Sequence, residues 1–228
     1  MTLQKDNAIL NIQSDLETMA NLVLEQLDLL EKIIRSTEII VPDDIVDRIR
    51  KNEKSIDKKE VKLSNKIVNT IVLHQPVASD LRRIIAIYRI TLNLERISDL
   101  VINITEHITK IKTPDAFFKL QDLIQSMATE SIKMVRKSLL SFMNFDKEFA
   151  LWTIRNEVVF EDFNHKLMNK IFAKVDPAEF DKHMLMSIIT IKEMMSSIER
   201  IADHSTNIAE AAIYSIEGKD IRHHKIEE

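Results

Sequence analysis

Apolar residues recur along this chain at alternating steps of three and four. Leu16, Met19, Val23, Leu27, Leu30 and Ile34 form one such stripe, and Ile87, Ile90, Leu94, Ile97, Val101, Ile104 and Ile108 form another. A stripe repeating about every 3.5 residues predicts long helices packed nearly parallel, as in bundles. The breakers divide the pattern. Pro42, Pro76, Pro114 and Pro177 sit where helices begin, because proline is tolerated in the first turn. Ser79, Thr113 and Asp176 stand beside three of them as expected caps. Asn144-Phe145-Asp146 supplies a further break, and Gly218 a C-terminal stop. The expected result is six helical segments of roughly 30–40 residues, each about 45 Å long.

Three of these segments repeat. Shifting the sequence by 104 residues brings Glu95-Arg96-Ile97-Ser98-Asp99 onto Glu199-Arg200-Ile201-Ala202-Asp203, Asn103 onto Asn207 and Glu106 onto Glu210. In residues 94–106, 7 of 13 positions are identical, where unrelated sequence gives roughly one. Lys62–Ile67 meets Lys166–Ile171, and Asn52-Glu53 meets Asn156-Glu157, with no gap from Asn52 to Glu106. Register is therefore kept across two helices and their turn. The expected organisation is all-α, with two tandem three-helix bundles of antiparallel helices over residues 1–112 and 113–218. A polar tail follows over 219–228.

Composition narrows the function classes. Among 228 residues there is one glycine, Gly218, and no cysteine. Glycine-rich phosphate loops, dinucleotide fingerprints and nucleophile elbows are excluded, as are thiolate chemistry and cysteine-held metals. The absence of cysteine fits a cytoplasmic protein. The first residues lack the layout of a signal peptide, and no run approaches the roughly 20 apolar residues of a membrane span. A net charge of −4 argues against general nucleic-acid binding. The ten methionines and nine phenylalanines read as core fillers.

What repeats is largely not apolar. Glu95/Asp99 and Glu199/Asp203 lie one turn apart on helices, roughly 120–160° round from the core stripe, so they belong on a flank or outer face. Asn103 and Asn207 add amide oxygens one turn on. The preceding helices offer Glu53 and Asp57, and Glu157 and Glu161, also one turn apart. If these helices are antiparallel neighbours, two carboxylate columns face each other in each bundle. Paired carboxylates repel and raise each other's pKa, and a cation removes that repulsion. Thiol-free, oxygen-rich sites suit Mg²⁺, Ca²⁺, Mn²⁺, iron or zinc. A solvated acidic face paired with Arg96 and Arg200 is the plainer alternative. His204 and His165 read as surface histidines or further ligands, and His223 and His224 as part of the tail. Asp162-x-x-His165 is the nearest approach to the Glu-x-x-His motif of di-metal bundle enzymes, and no true copy occurs. Gln75–Arg83 begins a helix, with Asp80 complementing its dipole. Arg82 and Arg83 there are expected to be exposed, as a partner-binding or anion-contacting pair.

Gln75–Arg83, Glu95–Asp99 and Glu199–Glu210 together resemble the PhoU family, accessory regulators of bacterial phosphate-specific transport. The resemblance covers nearly the whole chain. It implies two tandem three-helix bundles whose repeated acidic motif binds multinuclear iron or zinc clusters on the bundle surface. It also implies a cytoplasmic, often dimeric regulator. Such a protein restrains phosphate uptake and the starvation response through a phosphate ABC transporter and a sensor histidine kinase, so that it meets the membrane only through partners. The second-helix acids depart from the pattern: Asp57 and Glu60 align with Glu161 and Asn164, and Val61 with His165. The sequence reading is a non-enzymatic metal-binding regulator. A carboxylate-bridged di-metal oxidase and a metal-free helical adaptor are the alternatives.

Overall fold

The computed structural model describes residues 2–158, 160, 169 and 181–222. Six helices account for most of them: α1 (Thr2–Ile34), α2 (Asp43–His74), α3 (Ala78–Lys110), α4 (Pro114–Asn144), α5 (Lys147–Asn156) and α6 (Lys182–Glu217). No strand occurs among the described residues. Pro177, Asp176 and the aligned segment 166–168 and 170–171 lie outside them.

Backbone chemistry at the ends explains where the helices stop. Gln75 (φ 44°) and Phe145 (φ 54°) adopt the left-handed conformation that closes α2 and α4. Gly218 (φ 73°) closes α6, its N–H donating to the Tyr214 carbonyl at 3.0 Å. Asp146 caps α5 by accepting from the N–H groups of Glu148 and Phe149, and Asp181 caps α6 by accepting from Met184. Two expected caps fail. Val77 occupies the N-cap of α3, so Ser79 is already inside the helix. Thr113 is the N-cap of α4 but its side chain makes no capping bond; the Ala116 N–H donates to its backbone carbonyl instead, at 3.1 Å.

Each apolar stripe is buried. Leu16, Val23, Leu27, Ile87, Ile90, Leu94 and Val101 have no solvent exposure. α1, α2 and α3 pack on one another, α4 and α5 pack on α6, and the most extensive contacts run along α3 with α6 and α4 with α6. One apolar cluster therefore spans both units. Methionine fills it as expected at Met19, Met127, Met134, Met194 and Met195, whereas Met186 faces solvent. Phe117 and Phe142 are buried, but Phe145 is half exposed at its turn. Polar side chains tie the connections down. Ser187 accepts from the N–H groups of Lys112 and Thr113, fixing the α3–α4 link to α6. Gln121 donates to the carbonyls of Ile34 and Ser36, satisfying the end of α1.

Candidate metal centre

A three-residue turn, Gln75–Val77, sends α3 back along α2. That reversal sets Glu53, Asp57 and Glu60 of α2 against Asp99 and Glu95 of α3, the register two antiparallel carboxylate columns require. One carboxylate oxygen each from Glu53, Asp57 and Asp99 lie within 4.8 Å of one another, and all three residues are half-buried. Glu95 completes the group electrostatically. Burial raises its pKa, and Asp99, Asp57 and Glu60 raise it further, against the opposing charge of Arg96. Glu53 is raised by burial, then by Asp57 and Asp99. Asp99 is raised by burial, then by Asp57. Arg96 supplies partial compensation at 3.4 Å from Glu95 and 3.9 Å from Asp99, with its side chain 64% exposed. The arrangement concentrates negative charge in a groove between helices. A hard divalent cation there exchanges repulsion for oxygen coordination.

The second unit presents its matched pair differently. Glu199 and Asp203 of α6 line a cavity of about 270 Å³ together with Glu157, Val158 and Phe160. Burial raises the pKa of Asp203, Glu199 raises it further, and Arg200 opposes the shift. Glu161, together with His165 and Asp162, lies outside the described residues, as do His223 and His224. Asn103 and Asn207 are exposed one turn beyond Asp99 and Asp203.

Three features differ from the sequence reading or were missed by it. Glu60 joins the first group, where it raises the Glu95 pKa and accepts the Ser64 hydroxyl at 3.0 Å. Its position one turn from Asp57 was legible, but its partner in the repeat is Asn164, so identity between halves passed over it. His204 is no surface histidine. It sits half-buried between α3 and α6, with Nδ1 2.9 Å from Asn93 Oδ1. Burial lowers its pKa to about 4, aided by Arg200 and Arg96. The ring is therefore neutral near pH 7, with Nδ1–H donating to the amide oxygen.

Arg82 and Arg83 are half-buried where exposure was expected. Arg83 donates to Gln13 Oε1 at 2.9 Å and lies 4.3 Å from the Phe145 ring centre. Burial pushes its pKa down, against the pull of Asp80 and Glu17. Arg82 packs over the α6 terminus, where a Cβ on Gly218 would stand 3.2 Å from its Nε. Both stand three turns or more from Glu95 along α3, about 18 Å, so they form no part of the carboxylate groove.

The model of one protein family, described as the PhoU domain, matches residues 16–108 and again 124–212. The chain is 31% identical over 212 residues to a phosphate-specific transport system accessory protein PhoU homolog of Aquifex aeolicus, covering 92% of this chain and 91% of that protein. It is 27% identical over 227 residues to the protein of the same name from Pseudomonas aeruginosa, covering 96% and 88%. Its fold is similar to the crystal structure of PhoU from Pseudomonas aeruginosa, with a TM-score of 0.80 at 23% identity over 94% of this chain and 99% of that one. The phosphate transport system regulatory protein PhoU from Streptococcus pneumoniae aligns with a TM-score of 0.77 at 17% identity, over 95% and 98%.

Proposed function

This chain belongs to the PhoU family, and we propose that it is a non-enzymatic accessory regulator of phosphate uptake whose two units each hold metal. In this reading it restrains a phosphate ABC transporter and the sensor histidine kinase of the starvation response. It works in the cytoplasm as a dimer, and Arg82 and Arg83 contribute to partner contact. Iron or zinc is the expected ion, held in the first unit by Glu53, Asp57, Glu95 and Asp99 and in the second by Glu157, Glu199, Asp203 and Glu161. Asn103 and Asn207 stand at the rim.

The observation that carries the proposal is the convergence of Glu53, Asp57 and Asp99 within 4.8 Å in a chain matched twice by the same domain. The relatives' names describe accessory proteins of a phosphate-specific transport system rather than enzymes. No helix among the described residues is long and apolar enough to cross a membrane, which suits a regulator that meets the transporter from outside the bilayer. The oxidase alternative would need carboxylates projecting into a bundle core. Glu53, Asp57, Glu95 and Asp99 are half-buried on a flank instead. The test is deletion of the gene with a phosphate-starvation reporter read in phosphate-rich medium. The reporter should stay on; unchanged expression and unchanged cellular phosphate would remove the proposal. Elemental analysis of untagged protein separates it from the metal-free adaptor.

A further inference from the structure

α2 packs against α1 and α3, and its third side faces outward. From Lys51 to Leu73 that outward side falls within an arc of about 140° at 100° per residue. Lys51, Lys54, Lys58 and Lys62 occupy its first half and are all exposed. Among the described residues none of the four ammonium groups forms an ion pair or hydrogen bond, although Lys54 acts on the charge of neighbouring Glu53, whereas Lys66 on the α1 flank pairs with Asp15. Val61, Val68, Val72 and Leu73 continue the arc as exposed apolar side chains, Leu73 at 72%. The arc carries no carboxylate between Lys51 and Leu73. Asp43, Asp44 and Asp47 precede it, and Glu53, Asp57 and Glu60 lie on the flank facing α3. A chain of net charge −4 thus presents a stripe of four positive charges along about 17 Å, followed by a stretch of similar length on which the four apolar side chains flank exposed Asn65 and Asn69.

We propose that this outer face of α2 docks directly on an anionic lipid surface. Charge complementarity selects a negative partner, and three features select lipid over an acidic protein. The cations are lysines, whose point charges suit diffuse headgroups, rather than arginines arranged for bidentate pairing. The stripe lacks the aromatic and arginine anchors on which protein interfaces concentrate their binding energy, and lysine is depleted at such interfaces. A single helix face is convex and offers a plane rather than a socket, so its valines and leucine enter a headgroup boundary more readily than a pocket. A second copy of the same face offers the lysines no counter-charge, since the arc itself carries no carboxylate. The contact is direct, in addition to any contact through a transporter, and it stands independently of the metal and phosphate reading.

The test is vesicle flotation of the full chain. Wild type should float with vesicles of phosphatidylcholine mixed with phosphatidylglycerol, stay down with phosphatidylcholine alone, and be released by raised salt. Each lysine near an anionic surface contributes about fivefold, so Lys54→Glu with Lys58→Glu should lower partitioning by about 30-fold or more. Val68→Ser with Val72→Ser should lower it several-fold, and circular dichroism should show unchanged helicity in both variants. Three results overturn the proposal: no flotation of wild type with anionic vesicles, equal flotation with neutral ones, or undiminished flotation of the lysine variant. Lysine-dependent binding to soluble polyglutamate without binding to vesicles also overturns it, by assigning the face to an acidic protein.

Discussion

His204 Nδ1 lies 2.9 Å from Asn93 Oδ1, and this bond joins α6 of the second unit to α3 of the first. His204 directly follows Asp203, and Asn93 stands two residues before Glu95. The bond therefore braces the two acid-bearing helices against each other beside both groups. Asn93→Leu should leave the imidazole N–H half-buried without its acceptor and lower unfolding free energy by about 1–3 kcal/mol in urea titration. A change within a few tenths of a kcal/mol would show that water replaces the amide.

The same histidine gives a pH dependence with a definite sign. Its folded pKa of about 4 lies below the ordinary value of 6.5, so the unfolded chain binds the extra proton first. Stability due to keeping His204 neutral is complete above pH 6.5 and is lost as pH falls toward 4. With solvent screening the loss is on the order of 1–3 kcal/mol. His204→Gln retains a donor toward Asn93 and cannot titrate, so its stability should be flatter than wild type between pH 6.5 and 4. Parallel pH profiles for the two proteins would assign the acid sensitivity elsewhere.

The first-unit acids carry the opposite sign. Glu53, Glu95 and Asp99 have raised pKa values in the fold. Their contribution is favourable below the ordinary carboxylate pKa and is lost as pH rises through the folded one. At pH 7 without metal the group is therefore a local strain, and a divalent ion should relieve it. Asp99→Asn should raise metal-free stability by about 0.5 kcal/mol at pH 7 and weaken metal binding about tenfold or more. Chelated thermal melts and calorimetric titration measure the two effects, and metal affinity in wild type should fall as pH drops into the carboxylate range. A variant that binds metal as wild type does would place the ion elsewhere.

The helices were legible where a boundary rests on local chemistry, less so at α6, which begins at Lys182 behind an Asp181 cap the sequence reading did not single out. The 3.5-residue stripe needs only the order of apolar residues, and Asp146 and Gly218 act within one turn of their own position. The acidic columns were legible because the 104-residue repeat held Glu95/Asp99 and Glu199/Asp203 at one register. Glu60 escaped because only one half carries it. His204 and the arginines escaped for a different reason: whether a polar side chain at the edge of a stripe meets solvent or a neighbouring helix depends on how the two units dock. The α3–α6 contact is set by residues 111 positions apart, such as Asn93 and His204, and periodicity within one helix is silent on it.

Gly218 illustrates the local kind of constraint. Its φ of 73° is costly for any residue with a Cβ, and an added Cβ would meet the Arg82 side chain at 3.2 Å. Gly218→Ala should cost about 1 kcal/mol and lower Tm by about 2–4 °C. Gly218→Asn should cost less, since asparagine tolerates the left-handed region. Equal melting of all three proteins would show that the α6 terminus frays without consequence.

The matched pair on α6 gives the most direct test of the metal reading. Glu199 and Asp203 share one cavity with Glu157, and burial and mutual repulsion both raise the Asp203 pKa. If each unit holds its own ions, Glu199→Ala with Asp203→Ala should remove about half the bound metal. The Glu53–Asp57–Asp99 group lies between α2 and α3 and should stay filled. Folding should change little in the absence of metal, because partly exposed carboxylates contribute little by themselves. Elemental analysis after gel filtration reads the stoichiometry, and a chelated melt reads the stability. Metal content equal to wild type would reduce these acids to a solvated face. Complete loss of metal would mean instead that the two groups fill together, with the α3–α6 contact carrying the coupling between them.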